Sequence, residues 1–216
     1  MQPYLLPYAG YWRLLQAADV FVVFDCVQFL RRGRIHRCEL PDGSWLTLPL
    51  APAPQETPIS AMRLAADARA RFDERLRAQP WIAAAQGPAA ELVRGWLAAP
   101  LDGRPLADLL LETLHDTAAL LGLPARIERS SAFGLDPALR GEQRVIAAVR
   151  AVGGAHYVNS PGGRALYDAG RFAEAGLRLS FLAPYEGAFR YLLPALLRDE
   201  PELIAQDIRR TTLLLD

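Results

Sequence analysis

The sequence predicts an α/β protein with a mostly parallel sheet flanked by helices. Three observations support this fold class: short β-branched and aromatic runs alternate with amphipathic runs in the last third of the chain, a long helical stretch occupies the middle, and 51% of the residues are hydrophobic. A chain of 216 residues can bury one sizeable core. We therefore predict a single domain over residues 1–216, with a helical subdomain at about residues 65–122.

The first third of the chain contains a loop, a helix, a strand and a hairpin. Proline and glycine interrupt the opening segment MQPYLLPYAGY, and apolar residues at helical spacing follow over residues 10–18. DVFVVFD, residues 19–25, is a short apolar run bounded by carboxylates, which indicates a buried strand. The turn PDGS joins strands predicted near residues 35–40 and 45–50, and this pattern is typical of a β-hairpin.

The remaining two thirds are predicted to be helical first and alternating afterwards. Amphipathic and alanine-rich segments run from about residue 65 to a stop at Gly122. Three later segments favour strands, ARIERSS, AHYVNS and LRLSFL, and the helical segments LRGEQRVIAAVRAVG and AGRFAEAG separate them. A last helix, PELIAQDIRRTTLLL, begins at a proline. Because strands alternate with helices, the pattern predicts βα units and hence a parallel sheet.

The charge balance excludes some classes of function. The 24 basic and 24 acidic residues cancel, so the chain lacks the surplus of cations that binding to nucleic acid phosphates requires. Every one of those cations is an arginine, which excludes mechanisms that depend on a lysine base, Schiff base or P-loop. Guanidinium groups remain available for planar, bidentate contacts to phosphate or carboxylate.

The cysteines and apolar runs predict a cytoplasmic protein with reduced thiols and no membrane span. The opening segment has no signal-peptide pattern, and no apolar run is long enough to cross a bilayer. Cys26 and Cys38, with three scattered histidines, do not make a zinc pattern, so we predict no metal. Cys26 could act as a nucleophile if His36 came close, but the neighbouring carboxylate opposes activation, and we interpret both thiols as buried and inert.

The opening loop is the first candidate site. Its prolines stiffen the backbone, Gly10 permits a close approach, and the following helix would present free N–H groups to an anion. We expect Gln2, Tyr4, Gly10 and Tyr11 to contact a substrate. The alternative is a structural turn whose aromatic residues belong to the core.

Two later segments also supply candidates. Asp25 and Gln28 follow the strand 19–25 at its carboxyl end, where open α/β sheets bind ligands, although Asp25 could equally cap the next turn. The loop NSPGGRALY places Asn159 and Tyr167 at the end of another predicted strand, and its glycines allow a ligand to approach the backbone. A further polar rim, with the least support, combines Ser130 and Ser131 with the helix start at residues 141–143.

The segment RRGRIHR, residues 31–37, places four guanidinium groups within seven residues. Charge runs are usually solvated surface, but in a chain of zero net charge this one is a credible clamp for phosphate or carboxylate. An ordinary histidine pKa would suit His36 to act as a general base.

These motifs, taken in order, resemble the WbqC-like family: QPxxxPxxGY, DVFVVFD, VQFLRRG with a later arginine, WLTLPL, and GAHYVNSPGGRALYD followed by RFAEAGLRLSFL. The resemblance covers nearly the whole chain and favours Arg32 and Arg37 within the basic segment. His36 stands where the family more often has asparagine, which weakens its case as a base. Members usually carry a short apolar strand just before the Gln-Pro pair. We therefore expect this chain to lack that strand, the alternative being a natural short form.

The resemblance also implies a context in surface-polysaccharide and sugar-modification pathways, without a settled reaction. We predict a group-transfer enzyme acting on a phosphorylated or nucleotide-linked small metabolite, such as an amino sugar. Arginines would hold the anion, and Asp25 would act as base or hydroxyl anchor. Gln2, Tyr11 and Asn159 would orient the substrate. The alternative is a non-catalytic ligand-binding or scaffold protein, with partner enzymes in a biosynthetic complex. The residues imply no particular cofactor.

Overall fold

The computed structural model describes residues 1–215 and shows a mixed α/β fold. Within those residues the α-helices are α1 Ala9–Ala17, α2 Ala68–Arg77, α3 Pro80–Ala84, α4 Ala90–Ala98, α5 Leu106–Leu120, α6 Gly141–Ala151, α7 Ala169–Glu174, α8 Leu192–Arg198 and α9 Pro201–Thr211. The strands are β1 Val20–Val23, β2 Arg37–Glu39, β3 Trp45–Thr47, β4 Arg126–Arg129, β5 His156–Asn159, β6 Arg178–Leu182 and β7 Leu214–Leu215. No helix in this part of the chain is long and apolar enough to span a bilayer.

The strands form three small sheets, where the sequence predicts one mostly parallel sheet. Two pairs are parallel, β1 with β4 and β5 with β6, so the predicted βα units are present in part. β7 is antiparallel to β6, and β2 pairs with β3 in the predicted antiparallel hairpin. On its edge away from β4, β1 bonds the backbone of Met1, whose amino group donates to the Val22 carbonyl at 2.8 Å. Strands of two to five residues give short ladders, which explains the division into separate sheets.

The middle of the chain is helical, as the periodicity predicts, and α2 to α5 correspond to its successive helical segments. Proline begins α3 at its first position, and Gly122 follows α5 with a φ of 60°, a left-handed conformation that glycine adopts without a Cβ penalty. The predicted last helix ends at Thr211, and the residues after it add β7 to β6 instead.

Most of the buried apolar side chains form one large core around α1. Trp12 and Leu15 have no exposed surface, and α1 packs on α9. A second, smaller cluster joins α6 and α7 to the β5–β6 pair and contains Val145 and Phe172. The large core fixes the opening loop, because the Trp12 indole N–H donates to the Pro7 carbonyl at 3.1 Å from a fully buried position.

Candidate functional site

A narrow cleft lies where three segments that are distant in sequence meet. It is lined by residues 4–8 of the opening loop, by Arg34, by residues 37–39 of β2, and by residues 190–192 at the start of α8, around a cavity of about 20 Å³ that opens to solvent. We call it the arginine cleft, because Arg34, Arg37 and Arg190 all line it. The sequence predicts a site between the opening loop, the 25–37 segment and the 159–167 loop. In the structure, the opening loop and Arg34, Arg37 and Glu39 meet residues 190–192 instead of the 159–167 loop.

The opening loop has its shape because it is held from both sides. The Leu5 N–H donates to the Ile35 carbonyl at 3.1 Å, and the Tyr11 hydroxyl donates to the Gln2 carbonyl at 3.0 Å. Leu6 has a φ of 43°, a left-handed conformation that costs a non-glycine residue about 1–2 kcal/mol. These contacts hold a strained residue in the wall of the cleft, which keeps the wall rigid.

The cleft carries more positive than negative charge. Glu39 is the only carboxylate among its lining residues, and one of its oxygens accepts a hydrogen bond from Arg34 Nη2 at 2.9 Å. The guanidinium carbons of Arg34 and Arg37 lie over the ring of Trp45, 5.0 and 4.3 Å from its centroid. Arg190 is exposed, with its guanidinium carbon 5.7 Å from the Tyr191 ring centroid. Three cations and one carboxylate favour an anionic ligand.

Arg37 is held by the backbone of its own segment. Its Nε donates to the Gly33 carbonyl at 2.9 Å and its Nη2 to the Arg32 carbonyl at 2.6 Å. Among residues 1–215 the structure records no hydrogen-bond partner for its Nη1. A guanidinium fixed in this way loses little freedom when a ligand binds, which favours affinity.

Two tyrosines of the opening loop, Tyr4 and Tyr11, have raised pKa values. Burial raises the pKa of Tyr4, and the nearby Arg34 charge only partly offsets this. Tyr4 packs on Tyr11, with ring centroids 5.6 Å apart. Tyr11 itself is buried, its pKa is raised well above the usual value by burial, and it does not line the cleft. Tyr4 can therefore offer a hydroxyl to a ligand, whereas Tyr11 supports the loop from the core.

Gly10 is needed for contact with the protein itself. A Cβ at this position would lie 2.2 Å from the Tyr8 ring and 2.9 Å from Tyr185 Cβ. The predicted close approach is therefore real, but the neighbour that approaches is the 183–191 segment. The first N–H of α1, from Ala9, also bonds this segment, donating to the Phe189 carbonyl at 3.1 Å.

The 183–191 segment supplies Arg190 and Tyr191, which sequence reasoning missed. A buried network fixes it: Arg13, with no exposed surface, donates to the Ala183 carbonyl at 2.8 Å and to the Thr211 carbonyl at 2.6 Å. The Tyr185 hydroxyl donates to Asp207 at 2.6 Å. It also accepts the N–H of residue 189 at 3.0 Å. The segment AFRYLLP has no local motif, so only its long-range contacts reveal its role.

Asp25 is fully buried in a separate cluster whose Arg129 and Ser131 reach the surface, and it does not line the arginine cleft. One carboxylate oxygen accepts from Ser130 Oγ at 3.1 Å and from Ser131 N at 2.9 Å. The other accepts from Arg129 Nε at 2.9 Å and from Ser131 Oγ at 2.8 Å, while Arg129 Nη1 bonds Asp108 at 2.8 Å. We call Asp25, Arg129, Ser130 and Ser131 the Asp25 cluster. Four donors saturate the carboxylate, whereas a general base needs an accessible lone pair.

The two cysteines have different surroundings. Burial raises the pKa of Cys38 to about 12, which agrees with the interpretation of an inert thiol. Cys26 is only partly buried, and its Sγ lies 3.5 Å from Arg144 Nη1. His36 is not among the recorded contacts of either thiol, and the structure therefore gives Cys26 no histidine partner within the described residues.

Gln28 and Arg32 are exposed and point to other parts of the surface. The Gln28 side-chain amide donates to the Gln55 carbonyl at 2.8 Å. Neither Gln28 nor Arg32 lines the arginine cleft. Arg32 contributes its backbone carbonyl to Arg37, as described above. The resemblance singled out Arg32 and Arg37 together, and the structure places only Arg37 in the cleft.

The Asn159–Tyr167 loop also lies outside the cleft, beside the smaller apolar cluster. The Asn159 side-chain oxygen accepts the Ser160 N–H at 2.8 Å, and a Cβ on Gly163 would lie 2.3 Å from Asn159 Nδ2. The Tyr167 ring packs edge-on against Tyr157, with centroids 5.7 Å apart. Gly163 therefore allows the loop to pack against the Asn159 side chain.

His36 is a buried, neutral side chain. Its ring packs at a tilt of 59° against Phe29 with centroids 5.2 Å apart, and Nδ1 has no hydrogen-bond partner within residues 1–215. Burial, followed by the charges of Arg37 and Arg75, lowers the pKa of His36 to about 4. Over the same residues, no group of three or more His, Cys, Asp or Glu side chains is placed to hold a metal ion.

The fold and the cleft define a mixed α/β protein with clustered guanidinium and phenol groups in one cleft. The chain belongs to the WbqC-like protein family, whose family model matches residues 2–192. The match confirms the resemblance drawn from the sequence motifs. It ends at Leu192, which is also the last residue that lines the arginine cleft. Comparison with curated proteins and with solved structures finds no match.

Proposed function

We propose that the protein binds a phosphorylated or nucleotide-linked small metabolite, such as an amino sugar, in the arginine cleft and transfers a group to or from it. The proposed context is surface-polysaccharide or related biosynthesis, which the family resemblance suggests. One observation carries the binding part of the proposal. Three guanidinium groups from two distant segments, Arg34 and Arg37 from one and Arg190 from the other, share one narrow cleft with a single carboxylate, in a chain whose formal charges cancel.

The proposal gives each cleft group a chemical task. Arg37 and Arg190 hold the phosphate, because guanidinium donors match phosphate oxygens bidentately. Arg34 is shared between the ligand and Glu39. The Tyr4 hydroxyl donates to the ligand or accepts from it, and the aromatic ring offers a face to a sugar or a base.

Group transfer also needs a base or an anchor near the ligand, and Asp25 is the candidate from the sequence. For Asp25 to act in that way, at least one of its four donors must leave it when the ligand binds. In the conformation described above, its carboxylate orients the turn at residues 130–132 and the Arg129 side chain. We therefore propose that Asp25 acts through positioning unless binding rearranges the cluster.

Titration calorimetry with inorganic phosphate and a panel of nucleotide sugars tests the binding part. Wild-type protein should bind phosphate compounds, and Arg37→Ala should lose at least about tenfold in affinity, as expected for a charge-assisted contact. Arg126→Ala is the matched control, since Arg126 forms an exposed ion pair with Glu128 on β4 and lies outside the cleft. Equal affinities in both variants and wild type would sink the proposal.

A non-catalytic ligand-binding or scaffold protein is the second candidate, and two observations favour it. The Asp25 carboxylate is saturated, and His36 is neutral and buried, so neither is poised to move a proton. Incubating the protein with any phosphate compound that binds, together with acyl donors or amino acids, separates the two candidates. Turnover supports the transferase, whereas tight binding without turnover across the panel supports the scaffold.

A further inference from the structure

We infer that Glu39 makes the arginine cleft selective for a monophosphate that carries a hydroxyl or ammonium group close to the phosphate, and selective against pyrophosphate. The inference rests on the proposed function, because it narrows the ligand class of the same site from phosphorylated or nucleotide-linked metabolites to monophosphates and excludes metabolites linked through a pyrophosphate. It depends on the one lining residue whose charge opposes the rest.

The position of Glu39 is fixed by the hairpin. It is the last residue of β2, lies opposite Trp45 in the antiparallel register, and has 23% of its side-chain surface exposed. Trp45 is also the ring on which Arg34 and Arg37 stack. The carboxylate and two of the three guanidinium groups are therefore organised around one indole.

The bonding of Glu39 leaves an acceptor for the ligand. Its Oε2 takes the hydrogen bond from Arg34 at 2.9 Å, and among the described residues no partner is recorded for Oε1. A carboxylate can accept only from donors, so the group that meets Oε1 must carry an O–H or N–H. A second phosphoryl group at that point would face like charge across a short distance, which is unfavourable in a partly desolvated cleft.

The remaining cations provide the place for one phosphate. Arg37 is held by backbone carbonyls and Arg190 contacts an aromatic ring, and neither has an acidic partner recorded within residues 1–215. Arg34 is already neutralised by Glu39. The cleft thus divides into a cationic end for a phosphate and an acceptor end for a donor group on the same small molecule.

Titration calorimetry with four probes tests this division: inorganic phosphate, pyrophosphate, glucose 6-phosphate and glucosamine 6-phosphate. Wild-type protein should prefer the sugar phosphates to pyrophosphate by at least about tenfold. Glu39→Gln should remove that preference while inorganic phosphate affinity changes least. Glu186→Gln is the matched control, because Glu186 is exposed on the neighbouring segment and does not line the cleft. A larger Glu39→Gln loss for glucosamine 6-phosphate than for glucose 6-phosphate identifies the donor as an ammonium.

Each other outcome has a defined meaning. Equal or tighter binding of pyrophosphate by wild-type protein overturns the inference, as does a preference that survives Glu39→Gln or changes equally in Glu186→Gln. Should Glu39→Gln fail to fold, Glu39→Asp replaces it, since the shorter carboxylate withdraws from the ligand and should weaken the preference. If no probe binds, the proposed function itself fails, and this result is distinct from a loss of selectivity.

Discussion

The Asp25 cluster and the arginine cleft use the same kinds of side chain in opposite ways. In the cluster, one buried carboxylate receives four hydrogen bonds and has no exposed surface. In the cleft, three guanidinium groups face a single carboxylate, which pairs with Arg34 only, and they remain partly open to solvent. A saturated buried charge contributes to the fold, whereas surplus donors at a surface are available to a ligand. Whether a group of charged residues stabilises the fold or can bind a ligand therefore depends on the balance between its hydrogen-bond donors and acceptors, and less on the presence of charge.

The largest expected effect is on stability, from Asp25→Asn. The amide removes the charge that pairs with Arg129 and turns one acceptor into a donor facing other donors. Breaking one partner of a buried pair typically costs about 3–5 kcal/mol, so the free energy of unfolding in urea should fall by an amount in that range. Asp19→Asn, exposed just before the same strand, is the control and should change little. A loss for Asp25→Asn below about 1 kcal/mol would mean that the cluster is not structural.

The next effect is a pH dependence that comes from His36, beside the cleft. Its pKa is about 4 in the folded protein, below the ordinary 6.5, so the unfolded chain binds a proton first as the pH falls. The contribution of His36 to the free energy of unfolding is fully present above about pH 6.5 and is lost towards pH 4. Between pH 7 and pH 5 the free energy of unfolding should fall by about 1–2 kcal/mol.

Urea unfolding at pH 7 and pH 5 measures the His36 term. His36→Phe should flatten the dependence, because phenylalanine packs against Phe29 without titrating. His115→Gln, at an exposed position of α5, should retain the wild-type slope. If the slope persists in His36→Phe, another group is responsible for it.

A smaller effect should link the 183–191 segment to binding. Tyr185→Phe removes the hydroxyl that joins Asp207 to the backbone of residue 189 and should loosen the attachment of Arg190. Phosphate affinity should fall about threefold, and this loss should disappear in an Arg190→Ala background if the two residues are coupled. Tyr157→Phe, a buried tyrosine beside the smaller cluster, is the control. Additive losses in the double variant would show that Tyr185 acts independently of Arg190.

The smallest effect separates two arginines that the sequence grouped together. Arg32→Ala should change phosphate affinity by less than about twofold, because its side chain is exposed and outside the cleft and its carbonyl remains to hold Arg37. A loss comparable with that of Arg37→Ala would show that the cleft extends further along the basic segment than the structure places it.

Local patterns in the sequence are sufficient to predict most of the helices and strands, and the part of the cleft that the opening loop and Arg37 form. The hairpin, the strand before Asp25 and the helical middle follow from periodicity and turn residues, and the opening loop with Arg37 follows from motif and family. The prediction of one mostly parallel sheet is wrong in part, because the short strands form three separate sheets. Ser130 and Ser131 were noted as polar, but nothing local connects them to Asp25, more than 100 residues earlier.

The part of the cleft that the 183–191 segment supplies depends on contacts between residues distant in sequence, which local sequence patterns do not reveal. Arg190 reaches the opening loop because buried Arg13 and Tyr185 tie the 183–191 segment to α1 and α9. Such contacts join residues about 170 to 200 positions apart. Sequence patterns predict which polar residues lie at the ends of helices and strands. They do not predict which of those ends lie next to one another in the fold.

The Trp45 ring that supports Arg34 and Arg37 also gives the cleft an optical signal. Indole emission depends on the charges placed over the ring, and a ligand that draws the guanidinium groups towards itself changes that local field. Trp12 and Trp96 are buried away from solvent, and Trp81 bonds Gln79 in the helical region. Trp12 bonds the Pro7 carbonyl in the cleft wall, but no guanidinium group is recorded over its ring among the described residues, so Trp45 is the indole most exposed to a shift of the cleft cations. The hairpin therefore carries its own fluorophore, and occupancy of the cleft can be followed in the unlabelled protein.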